Sequence, residues 1–387
     1  MKLYPQFFTS CAAIDEFDWQ RCFPSSQPFT QYNFISTLES TGCVSKQTGW
    51  QPCHLALSDD SQQVVAIVIL YIKSHSYGEY LFDWSWADAF YQHGIEYYPK
   101  IVSAIPFTPV TGARFGIAEE FAEYQNDILS QATQAINSLA KQIDAQTAQC
   151  LFLTQQHAEA LAGNDWLKRC DVQYHWFNRN YGDFSEFLAQ LTARKRKSIS
   201  KERQAVVDQG IQIRSFVGEQ LTTEHWREFY RFYQATYMKR SGHQGYLTPA
   251  FFDALAQPMC SISENSAIVF AYRDEKAVAV ALFFYDNEQL YGRYWGAEQA
   301  FNNLHFELCY YQGIELCIKL GLSRFNAGAQ GQHKLKRGFE PVYIYGSYQV
   351  YQPVFHQAIS DFIAREHEHL ERYTEQAKTE LPFRKHQ

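Results

Sequence analysis

Two apolar runs, Ala267-Ile-Val-Phe-Ala-Tyr272 and Ala277-Val-Ala-Val-Ala-Leu-Phe-Phe-Tyr285, flank the charged turn Arg273-Asp-Glu-Lys276. Runs rich in β-branched and aromatic residues around a short polar turn are typical of a β-hairpin. Gln289-Leu-Tyr-Gly-Arg-Tyr-Trp295 continues the pattern as a third strand, and helical spacing follows at about 303–320. The segment therefore predicts a hairpin, a third strand and a helix in succession.

A second hairpin is predicted nearer the N-terminus. Cys53–Leu57 and Val64–Lys73 are apolar runs separated by the turn residues Ser58-Asp-Asp-Ser61. The other predicted elements are helices at about 119–146, 222–240 and 248–257, a polar basic helix at 183–209, a C-terminal amphipathic helix at 354–378, and strands at 150–154, 172–177, 211–216, 322–326 and 343–351.

The two halves of the chain also contain similar segments in the same order. This order predicts an internal duplication, with halves at residues 1–170 and 171–387 and a site in a cleft between them. The matching pairs are Phe82–Phe90 with Gly292–Phe301, the tyrosine pair Tyr97-Tyr98 with Tyr310-Tyr311 (each expected on the helix that follows), and Thr108–Gly112 with Ala327–Gly331.

Composition narrows the class of protein. The 387 residues carry a net charge of −7, which argues against general binding to nucleic acid or anionic membranes. The nine cysteines form no CxxC pair and fit reduced, buried thiols, so no metal site is expected. The longest apolar run, Val64–Ile72, is too short to span a bilayer, and the N-terminus lacks a signal-peptide pattern. We expect a soluble cytoplasmic protein.

The loop Asn326-Ala-Gly-Ala-Gln-Gly-Gln-His-Lys-Leu-Lys-Arg-Gly338 is the strongest candidate for a site. Its glycines allow close approach of a ligand, and its cations suit phosphate or a developing oxyanion. The alternative is a solvated turn. The candidate ligand-binding residues are Gln330, Gly331, His333, Lys334 and Arg337, together with the strand residue Arg293.

Four residues are candidates for a general base. His305 and Glu307 lie in the first turns of the predicted helix, two positions apart, so they cannot form one dyad. Asp83 lies between two tryptophans, where burial would raise its pKa, and Glu79 lies close by. For each, a structural role is the alternative, and Asp83 is also a possible partner for Arg293. The aromatic residues expected to shape the cleft are Trp84, Trp86, Tyr291, Tyr294 and Trp295.

A basic run is predicted on the helix at 183–209. Arg194-Lys-Arg-Lys197, with Lys201 and Arg203, is either a solvated face or an arm that binds a phosphorylated or tRNA-linked substrate. The chain has no P-loop, GxGxxG, GxSxG or HExxH motif, which argues against nucleotide hydrolases, Rossmann dehydrogenases, α/β-hydrolases and zinc proteases.

The sequence resembles the FemAB-like family, a bacterial group of predicted N-acyltransferases named for peptidoglycan biosynthesis or recognition. The stretches that carry the resemblance run nearly end to end: Ser40–Val44, Thr48–Pro52, Ser74–Tyr80, Phe82–Ala87, Pro106–Gly112, Arg194–Lys197, Leu304–Tyr311, Ala327–Gly331 and Pro382–Lys385. The resemblance implies an α+β fold of tandem GNAT-like (acyl-CoA N-acyltransferase) domains with mixed, mostly antiparallel sheets flanked by helices. Related proteins carry a Lys-x-x-Arg-like segment where Lys334-Leu-Lys-Arg337 stands here.

Three hypotheses follow. The first is transfer of an acyl or aminoacyl group to a small-molecule amine or a peptidoglycan precursor, with Asp83, Glu79 or His305 as base and Lys334 and Arg337 binding phosphate or the oxyanion. The donor would be acyl-CoA or aminoacyl-tRNA, although the pyrophosphate-binding loop of ordinary acetyltransferases is not evident. The second is a catalytically silent module that binds peptidoglycan fragments. The third is use of aminoacyl-tRNA through the basic helix.

Overall fold

The computed structural model describes residues 1–257, 260–329 and 331–384, and the chain forms two compact units. Unit 1 comprises Met1–Val172 and Tyr343–Arg372, and unit 2 comprises Gln173–Val342 with the residues from Tyr373 onward. No helix within the described part of the chain is both long and apolar enough to cross a membrane.

Unit 1 is built on two sheets. The strands are β1 (Tyr4–Phe8), β2 (Trp50–Pro52), β3 (His54–Ser58), β4 (Val64–Val68), β5 (Tyr71–Lys73), β6 (Lys100–Ser103), β7 (Phe115–Ile117), β8 (Thr147–Leu153) and β9 (Leu167–Phe177), and the helices are α1 (Glu16–Cys22), α2 (Tyr32–Ser40), α3 (Trp84–Gln92), α4 (Gln125–Gln142) and α5 (Gln155–Ala162). β1, β3, β4 and β7 form one antiparallel sheet. β2, β5, β6 and β8 form the other, in which β6 and β8 are parallel. The buried face of α4, with Leu129, Ile136 and Leu139, joins their common core.

The predicted strand at Val64–Lys73 is two strands in two sheets. The backbone leaves the first sheet at Ile69, whose N–H donates to Arg114, and Leu70 pairs instead with Cys53 and with the His54 ring. Prediction of one strand was wrong because an uninterrupted apolar run does not show where its backbone changes partners.

Unit 2 contains one mixed sheet in the order β10, β11, β12, β13, β14 and then residues 173–177 of β9. Its strands and helices are α6 (Phe184–Gln190), α7 (Ala193–Val207), β10 (Gln212–Val217), α8 (Thr223–Ser241), α9 (Pro249–Leu255), α10 (Ser261–Glu264), β11 (Ser266–Arg273), β12 (Lys276–Tyr285), β13 (Gln289–Ala297), α11 (Leu304–Phe306), α12 (Gln312–Lys319) and β14 (Arg324–Asn326). The last two elements of the chain, β15 (Glu340–Val350) and α13 (Pro353–Thr379), lie mostly in unit 1. The predicted hairpin and third strand are β11, β12 and β13, which pair antiparallel.

Each unit contains a parallel strand pair joined by a helical crossover. In unit 1 the crossover is β6-α4-β8, and in unit 2 it is β13, the helix at 304–319, and β14. The next partner in each sheet is antiparallel: β15 pairs with β8, and β9 pairs with β14. The C-terminal part of β9 thus belongs to unit 2, and most of the last strand, β15, belongs to unit 1.

This exchange explains why the units differ from the expected halves at 1–170 and 171–387. Residues 343–372, which hold most of β15 and of α13, belong to unit 1 because β15 completes the sheet beside β8. The predicted duplication also matched segments that have different secondary structure in the two halves. Phe82–Phe90 lies mostly in helix α3, whereas residues 292–297 are strand, and Tyr97-Tyr98 precedes β6 outside any helix.

The predicted basic helix at 183–209 is broken into α6 and α7. The interruption at Leu191 and Thr192 arises because the C-terminal segment pairs there: the Thr192 N–H donates to Pro382, and the Arg384 N–H donates to Gln190. These backbone groups are therefore taken by a segment far away in sequence, which no local pattern reveals.

Candidate functional site

A small cavity opens in unit 2 where two parallel strands part. β13 and β14 pair only from Gln289 to Tyr291 and from Arg324 to Asn326. Beyond this pairing β13 continues, while the chain after Asn326 turns away into the glycine-containing loop. The resulting cavity has a volume of about 120 Å³ and is lined by Ala281, Leu282, Phe283, Gly292, Arg293, Tyr294, Trp295, His305, Cys309, Tyr310 and Ala327.

A β-bulge shapes the strand side of this cavity. Phe283 pairs with Gly292 and Leu282 pairs with Tyr294, so Arg293 is the extra residue. A bulge kinks its strand and redirects a side chain, and bulges are frequent beside active sites. Gly292 keeps the cavity open, because an added Cβ would lie 3.2 Å from the Phe325 ring and 3.5 Å from the Ala327 Cα. The predicted role of Arg293 at a ligand site remains a prediction, and its position on the lining fits it.

A wide helical turn forms the opposite wall. Residues Glu307–Tyr311 form a π-helical turn between α11 and α12, a feature often found at functional sites. It presents Cys309 and Tyr310 to the cavity together with His305. Burial, the charges of His333 and Arg240, and other nearby cations lower the pKa of His305 to about 4. The cavity therefore contains a neutral imidazole near pH 7. The His305 ring lies edge-on to Trp295, with the ring centroids 5.2 Å apart.

Cys309 is the thiol nearest to this chemistry. Burial raises the pKa of its thiol well above the ordinary value. Because the thiolate is the nucleophile, a protonated thiol argues against a covalent acyl-cysteine intermediate.

Lys334 is buried behind the cavity wall. Its Nζ donates to the Ala327 carbonyl at 3.0 Å and to the Gly328 carbonyl at 2.8 Å. Among the described residues no carboxylate pairs with it, and burial lowers its pKa to about 7. Lys334 therefore positions the start of the loop instead of pointing at a ligand, since two carbonyl groups take its ammonium.

Arg337 is also committed to the protein. Its Nη2 bonds Glu202 at 2.8 Å, its Nε donates to the Tyr311 hydroxyl at 3.0 Å, and its Nη1 donates to the His333 carbonyl at 3.0 Å. The guanidinium also lies over the Phe306 ring. The expectation that Lys334 and Arg337 contact phosphate is corrected, because both are buried with their donors engaged. Gln330 lies outside the described residues.

Glu307 points away from the cavity. Its carboxylate pairs with Arg203, with Nη2 to Oε1 at 2.9 Å, and accepts from Gln312 at 2.8 Å. Burial raises its pKa, and Arg203 opposes that shift. Arg203 also bonds Glu315. The predicted separation of His305 and Glu307 onto different sides of the helix agrees with these contacts, and the role of Glu307 as a base is not supported.

Asp83 and Glu79 belong to a sealed charge cluster in unit 1. Lys100 Nζ lies 2.5 Å from Asp83 and 2.7 Å from Glu79, and all three side chains are fully buried. Burial opposes ionisation of Asp83, but Lys100 and the Gln149 amide hold its pKa at about 2. The expected rise in the pKa of Asp83 is therefore wrong, and its partner is Lys100, not Arg293. Burial raises the pKa of Glu79 to about 7, against the attraction of Lys100.

The equivalent opening in unit 1 is filled by Arg114. The β6–β8 pairing ends at Ser103 and Cys150, so Leu151 corresponds to Ala327. The buried Arg114 guanidinium donates to the carbonyls of Leu151, Ala113 and Val110, at 2.9, 3.2 and 2.6 Å. No described carboxylate forms an ion pair with it, and burial lowers its pKa to about 9. A side chain thus fills the space that is open in unit 2.

The predicted aromatic residues divide into three groups. Tyr294 and Trp295 line the cavity, as expected. Tyr291 is buried and donates to Asp286, and Trp86 packs against Tyr348, so neither shapes a cleft. Trp84 is 38 % exposed and contacts other exposed rings of unit 1.

Sequence reasoning missed Tyr310 as a site residue. The Tyr310 hydroxyl lies 2.8 Å from His333 Nε2. His305 and Cys309 are four residues apart, a spacing typical of one helical face, but the π-turn that adds Tyr310 to that face has no sequence signal. Among the described residues, no cluster of three or more His, Cys, Asp or Glu side chains is placed to hold a metal.

Comparisons with known proteins agree with this architecture. A model of the FemAB-like family, described as peptidoglycan biosynthesis/recognition, matches residues 10–385. The crystal structure of FemX aligns with a TM-score of 0.51 and 12 % identity, covering 93 % of this chain and 100 % of that one. The C-terminal domain of a putative lysylphosphatidylglycerol synthetase from Agrobacterium fabrum aligns with a TM-score of 0.50 and 11 % identity, covering 92 % and 97 %. A search of curated proteins finds no significant match.

Proposed function

This chain belongs to the FemAB-like family, and we propose that it transfers an acyl or aminoacyl group to an amine in the cavity of unit 2. The observation that carries this proposal is the opening between β13 and β14. A bulged strand, a cation and a neutral imidazole meet there around a small cavity. The alignments with solved structures support the tandem GNAT-like fold, and the chemistry is argued from the cavity itself.

The size of the cavity favours a small reacting group. At about 120 Å³ it is smaller than the roughly 300–1,000 Å³ of pockets that enclose drug-sized ligands. It therefore suits the acyl or aminoacyl part of a donor, with the carrier lying outside. The Arg293 guanidinium at the bulge is suited to stabilise the oxyanion that forms on the acyl carbonyl.

The protonation states favour direct transfer. Burial raises the pKa of the Cys309 thiol and disfavours its thiolate, which supports direct attack of the acceptor amine on the donor without an enzyme-bound acyl group. Of the four candidate bases, His305 is the one that lines this cavity. As a neutral imidazole it accepts a hydrogen bond from the amine and orients the lone pair toward the carbonyl. Asp83 and Glu79 are assigned a structural role in unit 1.

The donor is a thioester or an aminoacyl ester of tRNA. Several cations of α7 and of the loop after β14 lie close together. Burial lowers the pKa of Lys195, and the nearby charges of Lys336, Arg194 and Arg337 lower it further. Arg194 and Lys336 are exposed, whereas Arg203 is engaged by Glu307 and Glu315. An exposed cation cluster suits the phosphates of either carrier. Steep salt dependence of tRNA binding would identify tRNA, and Arg194→Gln combined with Lys336→Gln would reduce that slope.

The proposal is tested by supplying two donors and two amines. The 387-residue protein is incubated with acetyl-CoA or alanyl-tRNA, together with a lysine-containing muropeptide or hydroxylamine as a general amine. Mass spectrometry then detects the amide or hydroxamate formed above the level of a reaction without protein, because hydroxylamine attacks thioesters and aminoacyl esters spontaneously. We expect one donor to give product and Gly292→Val, which fills the cavity, to abolish it. Gly182→Val, at an exposed glycine of the same unit, should retain activity. Absence of product with every donor and amine would refute the proposal.

A binding module is the second candidate, favoured by an exposed aromatic surface in unit 1. Tyr77, Phe82 and Trp84 are 57, 42 and 38 % exposed, and the Trp84 ring contacts the rings of both Tyr77 and Phe82. Exposed contiguous apolar surface often marks an interaction site. Muropeptide binding that is lost in Trp84→Ala, measured by calorimetry in the absence of any turnover, would favour this candidate.

A further inference from the structure

A hydrogen bond connects the cavity of unit 2 with its surface. Tyr310 lines the cavity and is 4 % exposed, and its hydroxyl lies 2.8 Å from Nε2 of His333. His333 itself is exposed. The pair thus links the lining of the cavity to an exposed side chain through two groups that both exchange protons.

The loop holds His333 in place for this contact. Gly331 has a φ of +119°, and a Cβ there would lie 2.8 Å from His333 Cε1 and 3.3 Å from Lys334 Cε. Only glycine leaves room for the imidazole at this position without strain. The Arg337 guanidinium fixes the His333 backbone by donating to its carbonyl, and the imidazole packs on Phe306, with centroids 5.7 Å apart.

The charged surroundings keep His333 neutral. The titratable and charged groups that face it are Lys334 and Arg337 of its own turn, and Tyr310 and His305 of the helix. Burial and the charges of Arg337 and Lys334 lower its pKa. A neutral imidazole can accept at Nε2 from the Tyr310 hydroxyl while Nδ1 carries the proton.

We propose that Tyr310 and His333 form a proton relay for the transfer reaction, an inference that rests on the proposed function. The amine nitrogen forms a C–N bond to the acyl carbon, and the C–S or C–O bond to the carrier breaks. The proton lost by the nitrogen passes to Tyr310 Oη, and the Tyr310 proton passes to His333 Nε2. The leaving sulfur or oxygen takes a proton from solvent, and His333 releases one to solvent. Protons and charge therefore balance over one turnover.

The two residues have different roles in this relay. Tyr310 contacts the acceptor and is the catalytic residue, whereas His333 acts through Tyr310 and is a positioning residue. His305 orients the amine but is only partly exposed and, with a pKa of about 4, is a weak base, whereas His333 is exposed and can pass the proton to solvent. The relay supplies a route that His305 does not.

The test compares Tyr310→Phe, His333→Gln and the double variant in the donor and amine pair that the wild type uses. We expect kcat to fall about 100-fold in each, within the usual range for loss of general acid–base catalysis, with KM unchanged. The double variant should be no worse than either single variant, since the residues act in series. The wild-type kcat should decline at acidic pH as His333 becomes protonated, and this decline should disappear in His333→Gln.

Tyr285→Phe is the matched control. It removes a hydroxyl that bonds the Glu264 carbonyl at 2.7 Å elsewhere in unit 2, and activity should persist. Near-normal kcat in Tyr310→Phe, or additive losses in the double variant, would overturn the relay and leave the proposed function standing. A wild-type protein inactive with every donor and amine would overturn both. Circular dichroism of each variant separates loss of catalysis from loss of fold.

Discussion

Arg114 in unit 1 and Lys334 in unit 2 bind equivalent backbone carbonyls. Each cation is buried and donates to the first carbonyl beyond the parallel strand pair, Arg114 to Leu151 at 2.9 Å and Lys334 to Ala327 at 3.0 Å. In unit 1 the guanidinium fills the space between the strands. In unit 2 the Lys334 ammonium binds the loop carbonyls without lining the cavity, and the space between the strands remains open. The same backbone arrangement thus yields a closed region in one unit and a cavity in the other.

Loss of the Lys334 ammonium should disorganise the cavity. We expect Lys334→Ala to lose most transfer activity and to be less stable, because each carbonyl left without a donor costs about 1–3 kcal/mol. Activity assays and urea denaturation check both effects. Full activity in this variant would contradict the positioning role of Lys334. An exposed lysine of the same unit, Lys319, provides the control as Lys319→Ala, which should keep both activity and stability.

Lys334 should also make stability depend on pH. Its pKa is about 7 in the folded protein and about 10.5 ordinarily, so between these values the unfolded state binds more protons. The free energy of unfolding therefore rises with pH across this window, by at most about 1.4 kcal/mol per pH unit from this group. Urea denaturation at pH 7, 8 and 9 should show a smaller rise in Lys334→Met. An identical slope in the two proteins would be inconsistent with a depressed pKa.

Removal of Arg114 should destabilise unit 1. Arg114→Ala leaves three carbonyls without donors and creates a void, and we expect a loss of about 3–5 kcal/mol. Low millimolar methylguanidinium, too dilute to denature, should bind the void and raise the melting temperature of the variant but not of the wild type. Equal stability of variant and wild type would show that the guanidinium does not fill this space.

Asp83 should prove structural. Asp83→Asn leaves Lys100 with one of its two buried carboxylates, and we expect a loss on the order of 3–5 kcal/mol. The Asp83 pKa of about 2 lies below its ordinary value of 3.8, so its stabilisation is complete above pH 4 and is lost as pH falls toward 2. The deficit of the variant should shrink over that range. Asp88→Asn, at an exposed position of the same helix, should be neutral.

Substitutions of Glu307 and of His305 should have different effects on kcat. Glu307→Gln keeps a hydrogen-bonding group beside Arg203, and we expect transfer activity within about threefold of the wild type, well short of the loss expected for a general base. His305→Phe removes the imidazole from the cavity, and kcat should fall at least tenfold. The reverse order of effects in steady-state assays would return Glu307 to the role of base. Circular dichroism should show that both variants remain folded.

Local chemistry in the sequence determined the main elements. The apolar runs with a charged turn became β11 and β12, the third strand became β13, and the C-terminal helix runs over Pro353–Thr379 against a predicted 354–378. The resemblance indicated the family and the tandem GNAT-like fold. The glycine-containing loop was correctly singled out as unusual, since Gly328, Gly331 and Gly338 all adopt positive φ.

The tertiary structure decided which polar groups face a ligand. From sequence, Asp83, Lys334 and Arg337 carry the charges that chemistry requires, yet each is buried and engaged. Lys334 donates to carbonyls of its own loop, whereas Asp83 and Arg337 pair with charges from other elements. The sequence does not show whether a charged side chain contacts water, a carbonyl or a counter-ion, because its surroundings are set by the tertiary structure. The exchange of β9 and β15 likewise depends on pairing between strands remote in sequence, and local periodicity does not encode the β-bulge at Arg293 or the π-turn at Tyr310.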